Sequence, residues 1–116
     1  MTGPEHHCPG CGAALKHFPR YPWHFCNDCR KLAATSEGRR LAFVQPHPGG
    51  GFAFGFADEE ARFEALGIIC LIRERPAFVH EARFGGVVAE PLPSLPFQKE
   101  RVIDVRRGIP PGLVPI

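Results

Sequence analysis

The chain has 116 residues, of which 44% are hydrophobic, and its formal net charge is +2. A chain of this length forms one domain, or one small domain with an appended segment, and a charge so close to neutral does not by itself favour nucleic-acid binding. Thirteen glycines and thirteen prolines accompany ten phenylalanines. We therefore expect a turn-rich, mostly β protein with a phenylalanine-filled core.

The amino-terminal residues are polar and contain no apolar stretch typical of a secretory signal. No apolar run approaches the roughly 18 residues needed to span a bilayer. We therefore expect a cytoplasmic protein that does not interact with membranes. Because thiols stay reduced in that compartment, five cysteines with four in two close pairs favour metal binding over disulfides.

The first chemical motif is a pair of closely spaced cysteines that occurs twice. Cys8 and Cys11 enclose two residues and are followed by Gly12; after fourteen intervening residues, Cys26 and Cys29 repeat the spacing. Two intervening residues let both thiolates face one ion from a tight turn, and Gly12 permits the positive φ that aims backbone N–H groups at sulfur. Four thiolates suit tetrahedral Zn²⁺. The spacing predicts one structural zinc ion with no open coordination position for catalysis.

Two alternatives to zinc remain open at this point. The four cysteines could stay as reduced thiols or form disulfides. A rubredoxin-like iron site would use the same four thiolates, and ligand geometry alone does not separate it from zinc.

The two cysteine turns resemble the knuckles of the zinc-ribbon family. The Cys-Pro-x-Cys-Gly pattern of its first knuckle is present from Cys8 to Gly12, its second knuckle lies from Cys26 to Cys29, and a predicted β-hairpin follows. The resemblance covers residues 6–45. It implies a fold and four metal ligands but no specific activity. Arg30 stands where the second knuckle usually has glycine, so that turn departs from the family pattern.

Strand signals begin after the second cysteine pair. Residues 32–36 and 39–45 flank the dipeptide Glu37-Gly38 and predict a hairpin. A Pro/Gly-rich breaker ends that unit. Phenylalanines at every second position in residues 52–57 then predict a strand with three aromatic side chains on one face.

A short helix is predicted next, over about residues 59–66. Asp58 is a suitable N-cap, acidic residues fill the first turn, and Gly67 marks the end. Phe63 and Leu66 would face inward. A helix of this length depends on packing for its stability.

Further strands are predicted over residues 68–73, 77–84 and 87–90, the first of them central in its sheet, with an edge strand within 101–107. Prolines cluster from Pro91 onward and predict an extended tail. The predicted fold class is α+β, mostly β: a zinc ribbon joined to a small antiparallel sheet with one short helix. The predicted segments are 1–45 (zinc ribbon), 46–98 (β domain) and 99–116 (edge strand and tail).

Basic and aromatic residues alternate in the loop between the knuckles, residues 16–25, as on surfaces that stack bases and contact phosphates. The alternative is that its aromatic side chains cover the metal and attach the ribbon to the β domain. The candidate nucleic-acid or partner contacts are Lys16, Arg20, Tyr21, Trp23, Arg39 and Arg40.

A polar cluster interrupts the apolar strands at His80, Glu81 and Arg83. Glu81 and Arg83 share one face of a strand and would serve a small enzyme as an acid–base pair, or lie at the surface as an ordinary ion pair. Cys70 lies in an apolar run and is predicted to be core.

The leading functional prediction is a zinc-stabilised binding module that acts through protein contacts, as an adaptor, inhibitor or accessory subunit. Nucleic-acid binding through the loop 16–25 is the second hypothesis, and a small enzyme using Glu81 and Arg83 is the third.

Overall fold

The structure is a computed structural model that describes residues 6–15, 24–48, 50–82, 86–91 and 102–116. The predicted class, α+β and mostly β, is confirmed, since the described residues form nine strands and a single helical turn. The elements are β1 (His6–His7), β2 (Ala14–Leu15), α1 (Asn27–Arg30), β3 (Leu41–Val44), β4 (Ala53–Phe56), β5 (Phe63–Glu64), β6 (Gly67–Ile72), β7 (Arg75–Glu81), β8 (Val87–Pro91) and β9 (Val102–Asp104).

The larger sheet has four strands in the order β8-β7-β6-β9. Strands β6 and β7 form an antiparallel hairpin that pairs Ile68 with Val79 and Cys70 with Ala77, all fully buried. On its other side β6 pairs with β9 in parallel. The β-branched run is therefore an inner strand of its sheet, as predicted, with neighbours on both edges and four of its six residues buried.

The smaller sheet has the order β3-β4-β5, and its middle strand is buried on both faces. Phe54 and Phe56 supply the predicted aromatic face. On the opposite face Gly55 lies against the backbone of the segment that follows β4. A strand covered on both faces needs small residues on one of them, which explains the alternation of phenylalanine with alanine and glycine.

The helix predicted over residues 59–66 is wrong, since β5 and irregular chain occupy this segment. The carbonyl oxygen of Glu59, which would accept from the N–H of Phe63 in a helix, instead accepts from Nη1 of Arg62 at 2.7 Å. Phe63 pairs with Phe54 across the sheet, with ring centroids 5.8 Å apart. The burial of Phe63 on β4 and the guanidinium contact together replace a helix too short to be stable by itself.

Both sheets and the cysteine-bearing segment contribute to one hydrophobic cluster. Its fully buried large side chains come from β4, β6, β7, α1 and the residue after β9. The division of the chain at residues 45 and 98 stays a prediction. The members with no exposed surface at all are Cys29, Ala33, Phe54, Ile68, Cys70, Ile72, Ala77, Val79 and Val105.

Membrane insertion through a helix finds no support in the described ranges: α1 spans four residues, and no helix there has the length and apolarity to cross a bilayer.

Candidate metal centre

The first cysteine turn is closed by backbone hydrogen bonds around Cys8. Gly12 donates its N–H to the carbonyl of Cys8 at 2.9 Å and has the expected positive φ, +80°. Gly10 donates to Sγ of Cys8 at 3.3 Å. A Cβ on Gly10 would lie 2.9 Å from Sγ of Cys29, so the missing side chain lets the first turn pack directly on the second.

The second cysteine turn has a different geometry from the first, which explains why it needs no glycine. Cys26 is the N-cap of the helical turn Asn27–Arg30, and its Sγ accepts the N–H of Cys29 at 3.4 Å. The two cysteines thus lie at the start and within the first turn of a helix. In the first turn, the residue after the second cysteine is Gly12, which has a positive φ. In the second turn, the corresponding residue, Arg30, lies in right-handed helical backbone, which it adopts without strain.

The structure brings all four thiol groups together. The Sγ atoms of Cys8, Cys11, Cys26 and Cys29 lie within 4.8 Å of one another. Those of Cys11 and Cys26 are 3.7 Å apart. A regular tetrahedron with Zn–S bonds near 2.3 Å has S···S edges of about 3.8 Å. The cluster therefore has the size of a tetrathiolate metal site, and its four ligands would fill the tetrahedron.

The electrostatics of the cluster favour a cation. Burial raises the pKa of Cys8, but the N–H groups of Cys26, Cys11 and Gly10 outweigh it and bring that pKa down to about 6. Burial raises the pKa of Cys29 to about 12, against the contact with Arg73. The N–H donors around Cys8 thus favour its thiolate, whereas burial of Cys29 favours its neutral thiol. A divalent ion supplies the positive charge that four adjacent thiolates require.

The metal segment is attached to both the edge and the centre of the larger sheet. Phe25, which precedes a ligand, donates its N–H to the carbonyl of Ala89 in edge strand β8 at 2.8 Å. Ala34 exchanges two backbone hydrogen bonds, of 2.9 and 3.0 Å, with Leu71 in β6. The side chain of Arg30 also donates to the carbonyl of Val87 in β8. Backbone groups of β6 and β8 are therefore paired only while the cysteine segment keeps its position on the sheet.

Arg73 is a residue near the cysteines that sequence patterns did not identify. Its Nε–H donates to Sγ of Cys29 at 3.3 Å from the turn between β6 and β7. Arg30, which follows Cys29, and Lys31, one residue further on, are the sources of positive charge that the sequence places nearest to the ligands. No local signal could have identified Arg73, because 44 positions separate it from Cys29 and only the register of β6 on the metal segment brings them together.

The candidate nucleic-acid contacts are only partly described. Lys16, Arg20, Tyr21 and Trp23 lie outside the described residues. Arg39 binds Asp58 and Glu59 through Nη2, each at 2.9 Å, and its Cζ lies 3.5 Å from the centroid of the Phe56 ring. Arg40 is exposed. Arg39 is thus engaged with two carboxylates and an aromatic ring, which does not favour a role in binding phosphate.

The candidate polar site is described only at His80 and Glu81, and both side chains are engaged in other contacts. Arg83 lies outside the described residues, and Oε2 of Glu81 accepts the N–H of Gly51 at 2.8 Å. Nδ1 of His80 lies 2.9 Å from the carbonyl oxygen of Glu81, to which it can only donate, and Nε2 lies 2.7 Å from a carboxylate oxygen of Glu90. Both ring nitrogens are therefore engaged, and the geometry favours a structural role over general-base catalysis.

Cys70 lies apart from the metal cluster, in the core as predicted. It has no exposed surface, and burial, assisted by the carboxylate of Asp104, raises its pKa to about 12. At neutral pH it remains a thiol and fills space as a small hydrophobe.

The comparisons with known proteins add no relative: no protein-family model, curated protein or solved structure matches this chain.

Proposed function

We propose that this chain is a small zinc-binding module of the zinc-ribbon kind, in which one structural Zn²⁺ ion is held by Cys8, Cys11, Cys26 and Cys29, and that it acts through contacts with another protein as an adaptor, inhibitor or accessory subunit. The observation that carries the metal part is the convergence of four Sγ atoms within 4.8 Å.

Zinc is favoured over iron by the role of the site rather than by its sulfur geometry. The cysteine turns pack on each other and on the larger sheet, and a closed d¹⁰ tetrathiolate suits a site that holds backbone segments together. A structural site of this kind offers no open position for water or substrate, and the two nearby arginines that the structure describes, Arg30 and Arg73, are engaged with a carbonyl of β8 and with Sγ of Cys29. Recognition through shape is therefore the function that the arrangement supports best.

The metal content of the purified protein tests the first part of the proposal. Protein prepared under reducing conditions is expected to contain one equivalent of zinc by elemental analysis. Reconstitution of the metal-free form with Co²⁺ is expected to give the absorption bands of tetrahedral cobalt with sulfur ligands. Substoichiometric metal in a folded protein, or bound iron with the absorption spectrum of a ferric tetrathiolate, would contradict the zinc assignment.

Affinity purification from the source cells tests the second part. The chain is expected to recover a stoichiometric protein partner, and the metal-ligand variant Cys29→Ala is expected to lose it, because the cysteine segment would no longer be fixed on the sheet. Cys70→Ala removes a thiol that is equally buried but lies outside the cluster, and this control is expected to retain the partner. Recovery of nuclease-sensitive RNA or DNA in place of protein would favour the second hypothesis.

A further inference from the structure

The contact between Arg73 and Cys29 links the metal segment to the β6–β7 hairpin. Nε of Arg73 lies 3.3 Å from Sγ of Cys29, a residue with no exposed surface. Arg73 as a whole residue is exposed. One N–H therefore reaches a buried sulfur while the rest of the group stays hydrated, which avoids the penalty of burying the whole cation.

The backbone at this contact is in an unfavourable conformation. Ile72 pairs with Arg75, so Arg73 and Glu74 form a two-residue hairpin loop. Their φ angles are +49° and +67°. Such loops strongly prefer asparagine or glycine, because other L-residues are strained at positive φ. Neither arginine nor glutamate is favoured at a positive φ. The conformation of the turn therefore does not explain why residue 73 is an arginine.

We propose that Arg73 is a positioning residue for the metal centre: its guanidinium orients Sγ of Cys29 and offsets part of the negative charge of a four-thiolate site that holds a divalent ion. This inference rests on the proposed function. Four thiolates around Zn²⁺ carry a formal charge of −2, and a directional N–H donor to one sulfur lowers its charge density without displacing it from the metal. The basic residue nearest in sequence, Arg30, is directed to a carbonyl of β8 instead.

Because both loop residues are strained, glycine variants can separate the effect of the Arg73–Cys29 contact from the effect of the turn conformation. Arg73→Gly removes the guanidinium and also suits a positive φ, so it relaxes the hairpin. Glu74→Gly relaxes the adjacent position, where φ is +67°, and leaves the Arg73 contact in place. If Arg73 served the turn alone, both variants would bind metal as well as the wild type or better.

The experiment measures zinc affinity by competition with a chromophoric chelator, together with the sulfur-to-cobalt charge-transfer bands of the Co²⁺ form. Arg73→Gly is expected to bind zinc about 10- to 100-fold more weakly, the usual effect of losing an outer partner of a metal ligand. Its charge-transfer bands are expected to shift, because a thiolate without its hydrogen bond is a stronger electron donor. Glu74→Gly is expected to match the wild type in both measurements.

The experiment gives different results if Arg73 has no positioning role and if the chain has no zinc site. If Arg73→Gly retains wild-type zinc affinity and unshifted bands, the positioning role of Arg73 is overturned while the zinc site stands. An equal loss of affinity in Glu74→Gly would also overturn it, since the turn and not the sulfur contact would then be responsible. If the wild-type chain takes up no Co²⁺ in a tetrathiolate site, the proposed function itself fails.

Discussion

The variant Cys29→Ala is expected to lose its metal and its cooperative fold, whereas Cys70→Ala is expected to remain folded with one metal ion. Both side chains are fully buried, and both substitutions remove one sulfur atom. Only Cys29 belongs to the four-thiol cluster. The difference between the two variants therefore isolates the contribution of the metal from that of packing.

The expected size of this difference follows from the coupling of metal binding to folding. A structural zinc ion bound by four thiolates contributes on the order of 10 kcal/mol of coupled binding and folding free energy. The total stability of a small domain is about 5–15 kcal/mol. A single buried cysteine replaced by alanine costs about 1 kcal/mol. Loss of the site thus removes most of the stability, and loss of Cys70 removes a small part of it.

In metal-free molecules that keep the larger sheet, the edge of β8 should also become exposed. Phe25 donates its N–H to the carbonyl of Ala89, and the side chain of Arg30 donates to that of Val87; each donor is adjacent to a cysteine ligand. Without metal these donors are no longer held in place, and an open strand edge pairs readily with another chain. We therefore expect chelator-treated protein to associate in a concentration-dependent manner.

Chemical denaturation followed by circular dichroism, with and without a chelator under reducing conditions, measures the first effect, and light scattering measures the second. A Cys29→Ala protein with the same denaturation midpoint as Cys70→Ala would contradict a structural role for the metal.

The four-cysteine cluster could be predicted from the sequence because its determinants are local. Each pair brings two thiols together through the backbone of one turn, so the spacing of Cys8 with Cys11 and of Cys26 with Cys29 already restricts the geometry. The strands β4 and β6 could also be predicted from local sequence. Alternating phenylalanines indicate β4, and a short run rich in β-branched residues indicates β6. What the spacing left open was how the two turns pack, which depends on Gly10.

The features that could not be predicted depend on contacts between distant segments. Arg73 reaches Cys29 only because Leu71 pairs with Ala34. The segment 59–66 carries helical signals, with Asp58 as a suitable N-cap, yet that carboxylate binds Arg39 and the segment folds over β4. Local propensity was outweighed by tertiary contacts, which is common for a helix of two turns.

The packing of this segment on β4 makes Gly55→Ala a strongly destabilising substitution, although it adds only one methyl group. A Cβ at this position would lie 2.2 Å from the carbonyl oxygen of Ala61 and 2.8 Å from Nη1 of Arg62. Arg62 donates from that nitrogen to the carbonyls of Glu59 at 2.7 Å and Ala61 at 2.8 Å. Because backbone and a bonded guanidinium cannot move aside independently, the whole segment must shift. We expect a loss of about 3 kcal/mol in unfolding free energy.

Gly38→Ala is the matched control, since it tests backbone strain without a steric clash. Gly38 has a φ of +85°, and a Cβ added there would have no neighbour within 4 Å, so alanine should cost about 1 kcal/mol through strain alone. Gly55 lies in strand β4 with no left-handed backbone, and alanine there would be nearly neutral if the residues after Asp58 formed a helix away from the sheet. Denaturation midpoints of the two variants compare these cases directly. A Gly55→Ala protein as stable as Gly38→Ala would contradict the packing of residues 59–62 on β4.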